Sequence, residues 1–323
     1  MISRRAVALA LPLAMLARGA RAADQDFAQW LQGVRQEAMA QGIRAATLDT
    51  ALANVAPLPH VIELDRRQPE TTLTFDEYIE RVVTPQRREA AQAHFDENRA
   101  LLGEIGERYG VAPAVIVALW GIETDFGRVT GDYPVIAALA TLAFDGRRPT
   151  FFRHELLSAL TIVDREHIDP HRLVGSWAGA MGQSQFMPSS FLNYAVSYRG
   201  TAAPDIWTRR DDVFASIANF LARSGWRPDE SWGNAVSLPP GVAPGGSAQG
   251  PLKPPADWAA IGIRRVDGKT LPKGGSAAAL IAPDGAGGPV FLVYDNFRVL
   301  LKWNNSSYFA VAVGYLADSI DWR

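Results

Sequence analysis

The sequence predicts an α+β protein that is mainly α-helical, with a small antiparallel β module near the C-terminus. Apolar residues recur mostly at helical spacing from residue 26 to about residue 220. Near residue 231 the composition shifts, and residues 238–256 are dense in proline and glycine. We therefore expect a helical body over residues 23–230 plus 301–323, and a β module over residues 231–300.

Residues 1–22 have the pattern of an export signal. Arg4 and Arg5 precede an apolar stretch, residues 6–16, that is too short to span a bilayer. Residues 20–22, Ala-Arg-Ala, resemble a cleavage site, and the Arg4-Arg5 pair leaves the Sec and twin-arginine routes both open. The chain has no cysteine, so we expect no lipoprotein acylation, disulfide or thiol chemistry. These features predict a periplasmic protein.

Helices account for most of the body. Helical spacing predicts them over residues 26–39, 45–55, 75–83, 87–109, 113–127, 134–144, 150–166 and 211–223. The segment 175–190, between the last two, is uncharged and rich in glycine, which suits close approach of the backbone to a ligand. Strands are expected over residues 258–266, 278–282 and 290–294, followed by a helix over residues 309–320 that packs back on the body.

Composition narrows the classes of function. The chain has 323 residues, 48% of them hydrophobic, which suffices for a sizeable core. Its formal net charge of −2 provides no general attraction to nucleic acid or to an anionic membrane, so we expect no nucleic-acid partner. Nine tryptophans exceed what such a core needs. Surplus tryptophan often lines ligand grooves, where flat rings stack on sugars, although packing in the core is its commoner role.

Glu123 is the most informative residue. It lies in the motif Gly-Ile-Glu-Thr-Asp-Phe-Gly at residues 121–127, in the last turn of an apolar helix that begins at Pro113. Burial and the negative end of the helix dipole both disfavour a carboxylate there. A carboxylic acid that stays protonated near neutral pH suits a general acid. The alternative is a structural glutamate that caps the helix or pairs with an arginine.

Two other patterns do not meet the requirements of a phosphate-binding loop or a metal site. Gly268-Lys269-Thr270 resembles the end of a phosphate-binding loop, but residue 263 is isoleucine where that loop needs glycine. Three histidines, at 154, 167 and 171, could suggest a metal site, yet Pro170 breaks the helix that would align the last two. We expect neither a metal nor another cofactor.

Five segments, in order, resemble the B-type lytic murein transglycosylases, glycoside hydrolase family 103. They are residues 64–70, 121–127, 145–152, 175–190 and 302–306. The resemblance extends from about residue 64 to residue 320. It implies a lysozyme-like α domain with a small β domain, and an enzyme that cleaves the β-1,4 bond between N-acetylmuramic acid and N-acetylglucosamine in peptidoglycan. It also implies that 1,6-anhydromuramic acid ends are formed, with Glu123 as the single catalytic residue.

The resemblance also implies substrate-binding residues. Ser176 and Gln185 would contact the sugar and its N-acetyl group, and Asn304 matches the asparagine of the C-terminal element. The remaining candidates are paired arginines for carboxylates and aromatic rings for stacking on sugars, namely Arg147, Arg148, Tyr78 and Phe151. The alternatives are a solvated surface pair for the arginines and a place in the core for either ring. Glycan strands are the expected partners, and binding to cell-wall synthesis proteins is left open.

Two departures from the family pattern matter. Some members carry a calcium loop, but in residues 197–205 only Asp205 remains and Arg199 would repel a cation, so we expect no calcium. The family's tyrosine before Asn304 is Trp303 here, which keeps stacking but changes hydroxyl contacts. We interpret Asp125 as structural, because it points away from Glu123 on a helix.

Two alternatives remain for the function. The first is a hydrolytic muramidase on the same fold, and the second is an inactive peptidoglycan-binding or scaffold protein. Ordinary glycosidases pair two carboxylates across the bond, and we find no second acid in a setting comparable to that of Glu123.

Overall fold

The computed structural model describes residues 11–322 except 68–72, 167, 201–202, 244, 246–247, 249 and 286, with side chains from residue 25 onward. Several sequence-based predictions fall partly or wholly outside these residues. They concern the start of the export signal, the end of the 64–70 motif, the histidine at position 167, and parts of the segments 197–205 and 238–256.

Helices dominate the described residues. In chain order they are α1 (Leu11–Ala40), α2 (Ala45–Ala51), α3 (Pro59–Arg66), α4 (Phe75–Val82), α5 (Pro85–Glu97), α6 (Arg99–Tyr109), α7 (Pro113–Thr124), α8 (Val135–Asp145), α9 (Pro149–Glu166), α10 (Pro188–Tyr194), α11 (Arg210–Arg223), α12 (Pro255–Ala260), α13 (Asp295–Trp303) and α14 (Ser307–Asp318).

The strands form two small antiparallel sheets. They are β1 (Tyr133–Pro134), β2 (Val174–Gly175), β3 (Gly233–Ser237), β4 (Arg264–Arg265), β5 (Ala279–Ile281) and β6 (Val290–Val293). β1 pairs with β2, and the other four strands have the order β4-β3-β6-β5. Mainly helical architecture with small antiparallel sheets confirms the predicted fold class.

The chain divides into two compact units. The first comprises the described residues of Met1–Gln68 together with Gly131–Asn193, and the second those of Pro69–Thr130 together with Tyr194–Arg323. This division by contacts differs from the division at residue 231 that composition suggests. The latter boundary stays a prediction.

The first unit is built on the pair α8 and α9. α3 and α1 pack against α8, while α2 and α1 pack against α9. Apolar residues cover most of α8, which explains why nearly all of it is buried. The glycine-rich segment 175–190 follows β2, whose pairing partner β1 leads directly into α8.

The second unit surrounds α7. This helix is apolar on every side, and α5, α6, α11 and α14 all pack against it. The contact with α14 confirms that the C-terminal helix packs back on a helical core. A separate cluster beneath the four-stranded sheet includes Val236, Trp258, Leu280, Leu292 and Tyr294.

Apart from differences at helix ends, such as the start of α1 at Leu11 and the end of α2 at Ala51, two predicted elements differ in kind from the structure. The single helix expected over residues 87–109 is broken at Asn98, whose side-chain amide donates to the His94 carbonyl at 2.8 Å and competes with the helical backbone. Of the strand expected over residues 258–266, residues 258–260 belong to helix α12, residues 261–262 form a turn, and only β4 is strand. Pro255 opens that helix, and Gly262, with a φ of +98°, breaks the chain before β4.

No single helix in the described residues is long and apolar enough to cross a membrane. The pair α6 and α7 meets that test only when taken together, and the two are bent by 110°.

Candidate active site

The carboxyl end of α7 carries Glu123 as its penultimate residue. Pro113 occupies the first turn, where its missing N–H costs nothing, and residues 114–121 are all buried. The prediction that Glu123 lies in the last turn of a mostly buried helix is therefore confirmed.

A tight turn of three left-handed residues ends this helix. Asp125, Phe126 and Gly127 have φ angles of 51°, 60° and 82°. A left-handed conformation is strained for aspartate and phenylalanine, so contacts with neighbouring residues must stabilise it. The Thr124 hydroxyl donates to the Trp120 carbonyl at 3.2 Å and accepts from the Gly127 N–H at 3.0 Å. The backbone that carries Glu123 is thereby anchored on its C-terminal side.

The carboxyl group of Glu123 is held by a tryptophan. The indole N–H of Trp303, at the end of α13, donates to Oε1 of Glu123 at 2.6 Å. The residue keeps a limited solvent-exposed fraction, yet its carboxyl group is surrounded by protein atoms. This burial raises the pKa of Glu123 from 4.5 to about 7, and the indole N–H opposes the rise. Glu123 can therefore be protonated near neutral pH.

Asp125 has partners of its own. It forms ion pairs with Arg128 and with Arg87, the latter at 3.6 Å between Arg87 Nη2 and Asp125 Oδ1. The residue also provides the left-handed C-cap of α7. These contacts agree with the interpretation of Asp125 as a structural residue.

Two further candidates belong to the same unit as Glu123. Tyr78 lies on α4 with its ring centroid 5.6 Å from that of Tyr308. Asn304 follows Trp303 directly, caps α13 and is exposed. Of the substrate-binding candidates, Asn304 is thus the one whose sequence neighbour touches Glu123.

The remaining candidates belong to the first unit. Ser176 and Gln185 lie in the glycine-rich segment and are both partly buried. The Ser176 Oγ accepts from the Ala180 N–H at 3.0 Å, which leaves its hydroxyl hydrogen able to donate to a ligand. A Cβ at Gly175 would overlap the Ala180 carbonyl oxygen, so the segment packs closely against its own backbone at this glycine. Close approach of the backbone to a ligand stays a prediction.

The two arginines differ in their surroundings. Arg147 donates from its backbone N–H, Nε and Nη2 to the buried carboxylate of Asp65, at 3.2–3.4 Å. The Arg148 guanidinium lies 5.2 Å from the ring centroids of Phe151 and Phe152. Since the Phe151 ring is 40% exposed, Arg148 and Phe151 form a cationic and aromatic surface patch.

Sequence reasoning missed two of these contacts. It treated Trp303 only as a departure from a family tyrosine, and it did not assign Asp65 as the anchor of Arg147. The pairs are separated by 180 and 82 residues in the chain, so no local pattern could reveal them.

Comparison with known proteins identifies the family. Residues 26–318 match the family described as the transglycosylase SLT domain. The chain belongs to this family. The resemblance to the B-type lytic murein transglycosylases is thus confirmed.

Individual relatives of this SLT-domain chain support the same family assignment. It is 32% identical to the membrane-bound lytic murein transglycosylase B of Escherichia coli over 245 residues, which is 75% of this chain and 66% of that protein. The chain therefore spans just under two thirds of that relative. The crystal structure of SltB3 from Pseudomonas aeruginosa in complex with NAG-anhNAM-pentapeptide is similar with a TM-score of 0.86 and 44% identity, covering 91% of this chain and 79% of that one.

A calcium complex is also among the similar structures of this family. The Escherichia coli lytic transglycosylase Slt35 in complex with calcium has a TM-score of 0.76 and 28% identity, covering 90% of this chain and 91% of that one. Among the residues described here, no group of three or more histidine, aspartate or glutamate side chains is arranged to hold a metal ion.

The corresponding loop of this chain has other interactions. Arg199 pairs with Asp211 at 3.0 Å, and Asp205 caps the N–H groups of Trp207 and Thr208. Asp212 is fully buried and accepts from the backbone N–H groups of residues 198 and 205. These carboxylates already have donors as partners, so the described part of the loop does not fit a calcium ion.

Proposed function

We propose that this chain is a lytic transglycosylase of peptidoglycan that uses Glu123 first as an acid and then as a base. The enzyme would cleave the β-1,4 bond between N-acetylmuramic acid and N-acetylglucosamine, and the product would carry a 1,6-anhydromuramic acid end. The observation that carries the proposal is the buried carboxyl group of Glu123 at the end of α7, which accepts a hydrogen bond from Trp303 and whose pKa is raised by burial to about 7. A group with that pKa can both give and take a proton near neutral pH.

In the first step, protonated Glu123 gives its proton to the oxygen that leaves C1 of the muramic acid. The C1–O bond breaks and the N-acetylglucosamine hydroxyl departs. Positive charge develops at C1, where the N-acetyl group of the same muramic acid can stabilise it. Glu123 is left as a carboxylate.

In the second step, that carboxylate takes the proton of the C6 hydroxyl of the same muramic acid. The C6 oxygen bonds to C1 and closes the anhydro ring, and Glu123 is protonated again. No water is consumed, so no second carboxylate is needed to activate one. Asp125, the nearest acid in the chain, is engaged with Arg87 and Arg128 and is not required by these steps.

We assign sugar and N-acetyl contacts to Ser176, Gln185 and Asn304, as the family resemblance implies. Arg147 and Arg148 would meet lactyl or peptide-stem carboxylates, and Tyr78 and Phe151 would stack on sugar rings. The complex of SltB3 with NAG-anhNAM-pentapeptide supports this choice of substrate class.

The proposed location is the periplasm, reached by the predicted export signal at residues 1–22. The relatives are lytic murein transglycosylases, whose substrate is the cell wall, which supports this location. Glycan strands are the proposed partners.

Digestion of purified murein with Glu123→Gln tests the proposal. We expect at least a hundredfold loss of turnover with an unchanged fold. Asp125→Asn is the matched control, because asparagine tolerates the left-handed conformation, and it should keep most of the activity. Wild-type turnover by Glu123→Gln would overturn the assignment.

The products separate the alternatives. Mass analysis of the released muropeptides distinguishes anhydro ends, which lack one water, from the reducing ends of a hydrolytic muramidase. Reducing ends alone would establish the muramidase. Binding to murein without any cleavage would instead identify an inactive scaffold protein.

A further inference from the structure

The indole ring of Trp303 is itself held firmly in the second unit. Its centroid lies 4.8 Å from that of Phe220 in an edge-to-face arrangement. Lys302, the preceding residue, donates from Nζ to the Ser224 carbonyl at 2.7 Å, which fixes the end of α13. The N–H that reaches Oε1 of Glu123 therefore comes from a ring with little freedom to move.

An indole N–H can donate a hydrogen bond but cannot accept one. The oxygen that it contacts acts as an acceptor in both protonation states of Glu123. In the neutral acid the carbonyl oxygen is a stronger acceptor than the hydroxyl oxygen, so the Trp303 N–H favours the form in which Oε1 is the carbonyl oxygen and the proton lies on Oε2.

We propose that Trp303 is a positioning residue that confines the transferable proton of Glu123 to Oε2 and so selects the oxygen that serves as acid and then base. This inference rests on the proposed function of Glu123. It adds a role that neither the family resemblance nor the helix pattern assigns.

The same bond affects ionisation. A donor next to a carboxylate stabilises the charged form, so the Trp303 N–H lowers the pKa of Glu123 against the effect of burial. Without it, the neutral acid would persist to higher pH. In the wild type we expect kcat/KM to fall above about pH 7, as Glu123 loses the proton needed for the first step.

Several charged groups on the helices that pack against α7 have partners other than Glu123. His94 and Arg210 contact Glu97, Arg87 pairs with Asp125, Glu104 accepts from Tyr198, and Asp318 accepts from the Trp232 indole. Among the described residues, two effects shift the pKa of Glu123: burial raises it, and the hydrogen bond from Trp303 lowers it.

Trp303→Phe provides the first test, because it removes the donor and keeps an aromatic ring. We expect the alkaline limb of the kcat/KM profile to move up by about one pH unit. We also expect kcat to fall roughly tenfold with little change in KM, since the proton is no longer held on one oxygen.

Trp258→Phe is the matched control. Trp258 is also buried and donates its indole N–H, at 2.9 Å, to the Ala278 carbonyl within the cluster beneath the sheet. This variant should lose stability without moving the alkaline limb. An unmoved limb in Trp303→Phe, with Glu123→Gln inactive, would overturn the role of Trp303 and leave the proposed function intact. An active Glu123→Gln would overturn both.

A second test covers the case in which Trp303→Phe does not fold. Replacement of Trp303 by 3-benzothienylalanine exchanges the N–H for sulfur in a ring of the same shape, and it should produce the same shift of the limb. In ¹⁵N-tryptophan-labelled enzyme, one indole signal should titrate with a midpoint near 7 and should be absent from the 3-benzothienylalanine variant. Failure of every indole signal to titrate would contradict the proposal without any measurement of activity.

Discussion

Gly121 lies against the ring of Phe126, the residue that turns the chain out of α7. A Cβ at position 121 would approach Phe126 Cε1 to 2.5 Å. The same ring lies 4.6 Å from that of His94 and 5.5 Å from that of Trp120, between centroids. This packing compensates for the left-handed conformation of Phe126, so the glycine two residues before Glu123 supports the turn that follows it.

Gly121→Ala should therefore weaken both fold and activity. We expect a loss of about 1–3 kcal/mol in the free energy of unfolding, because the added methyl group must displace a packed ring. Urea denaturation measures the loss, and murein digestion should slow in parallel. Gly103→Ala on α6 is the control: a Cβ there meets nothing within 4 Å, so stability should be unchanged or slightly higher. Equal effects of the two substitutions would contradict this account of the motif.

Glu123→Gln should gain stability relative to the wild type as pH rises. The pKa of Glu123 is about 7 in the folded state and near 4.5 when unfolded, so the folded state holds the proton more tightly. As the pH rises between these values, the free energy of unfolding of the wild type falls by up to about 3 kcal/mol. Glu123→Gln does not lose this stability, because its side-chain amide is neutral throughout. The Tm difference between variant and wild type should be more favourable at pH 8 than at pH 4.5.

Glu107→Gln supplies the control for this effect, because Glu107 is an exposed glutamate on α6. Thermal melts of the three proteins across that pH range make the comparison. A Tm difference for Glu123→Gln that does not depend on pH would show that the carboxyl group is not buried as described.

The buried acid Asp65 should matter more than its exposed counterpart Asp145. Asp65→Ala removes the acceptor of three Arg147 donors, and we expect a loss of about 1–3 kcal/mol together with weaker glycan binding. Asp145 pairs with Arg66 at 3.4 Å between two exposed side chains, so Asp145→Ala should change stability by less than about 0.5 kcal/mol. Chemical denaturation and murein sedimentation assays measure both effects. A smaller effect at Asp65 than at Asp145 would refute the ranking.

Calcium should leave the stability of this protein unchanged. Asp205 and Asp212 already accept hydrogen bonds from backbone N–H groups, and Arg199 neutralises Asp211. The Tm with millimolar calcium chloride should equal the Tm with EDTA. A saturable rise in Tm with calcium would mean that the loop rearranges around the ion.

Asp212→Ala tests the buried acceptor of the same loop. It should lower the free energy of unfolding by about 1–3 kcal/mol, because two backbone N–H groups lose their acceptor. Calcium should not restore this loss.

Local patterns predicted the helices well where apolar spacing and terminal residues agree. Helices α7, α8, α9, α11 and α14 each lie within about two residues of their predicted bounds, apart from the end of α7, which stops at Thr124. Prediction failed where one side chain overrides the pattern. Asn98 splits a charged run into α5 and α6, and Pro255 starts a helix that continues into the predicted strand 258–266. β3 was missed because its five residues carry no strict alternation.

The amino-acid sequence alone determined that Glu123 ends a buried helix and that the segment after β2 needs glycine. Both follow from residue types whose effects act within a few positions of the chain: proline and glycine at helix ends, apolar spacing, and glycine where the backbone approaches closely. Only the tertiary structure decided that Trp303 donates to Glu123 and that Asp65 holds Arg147. Those contacts join residues far apart in the chain, and packing alone brings them within hydrogen-bond distance.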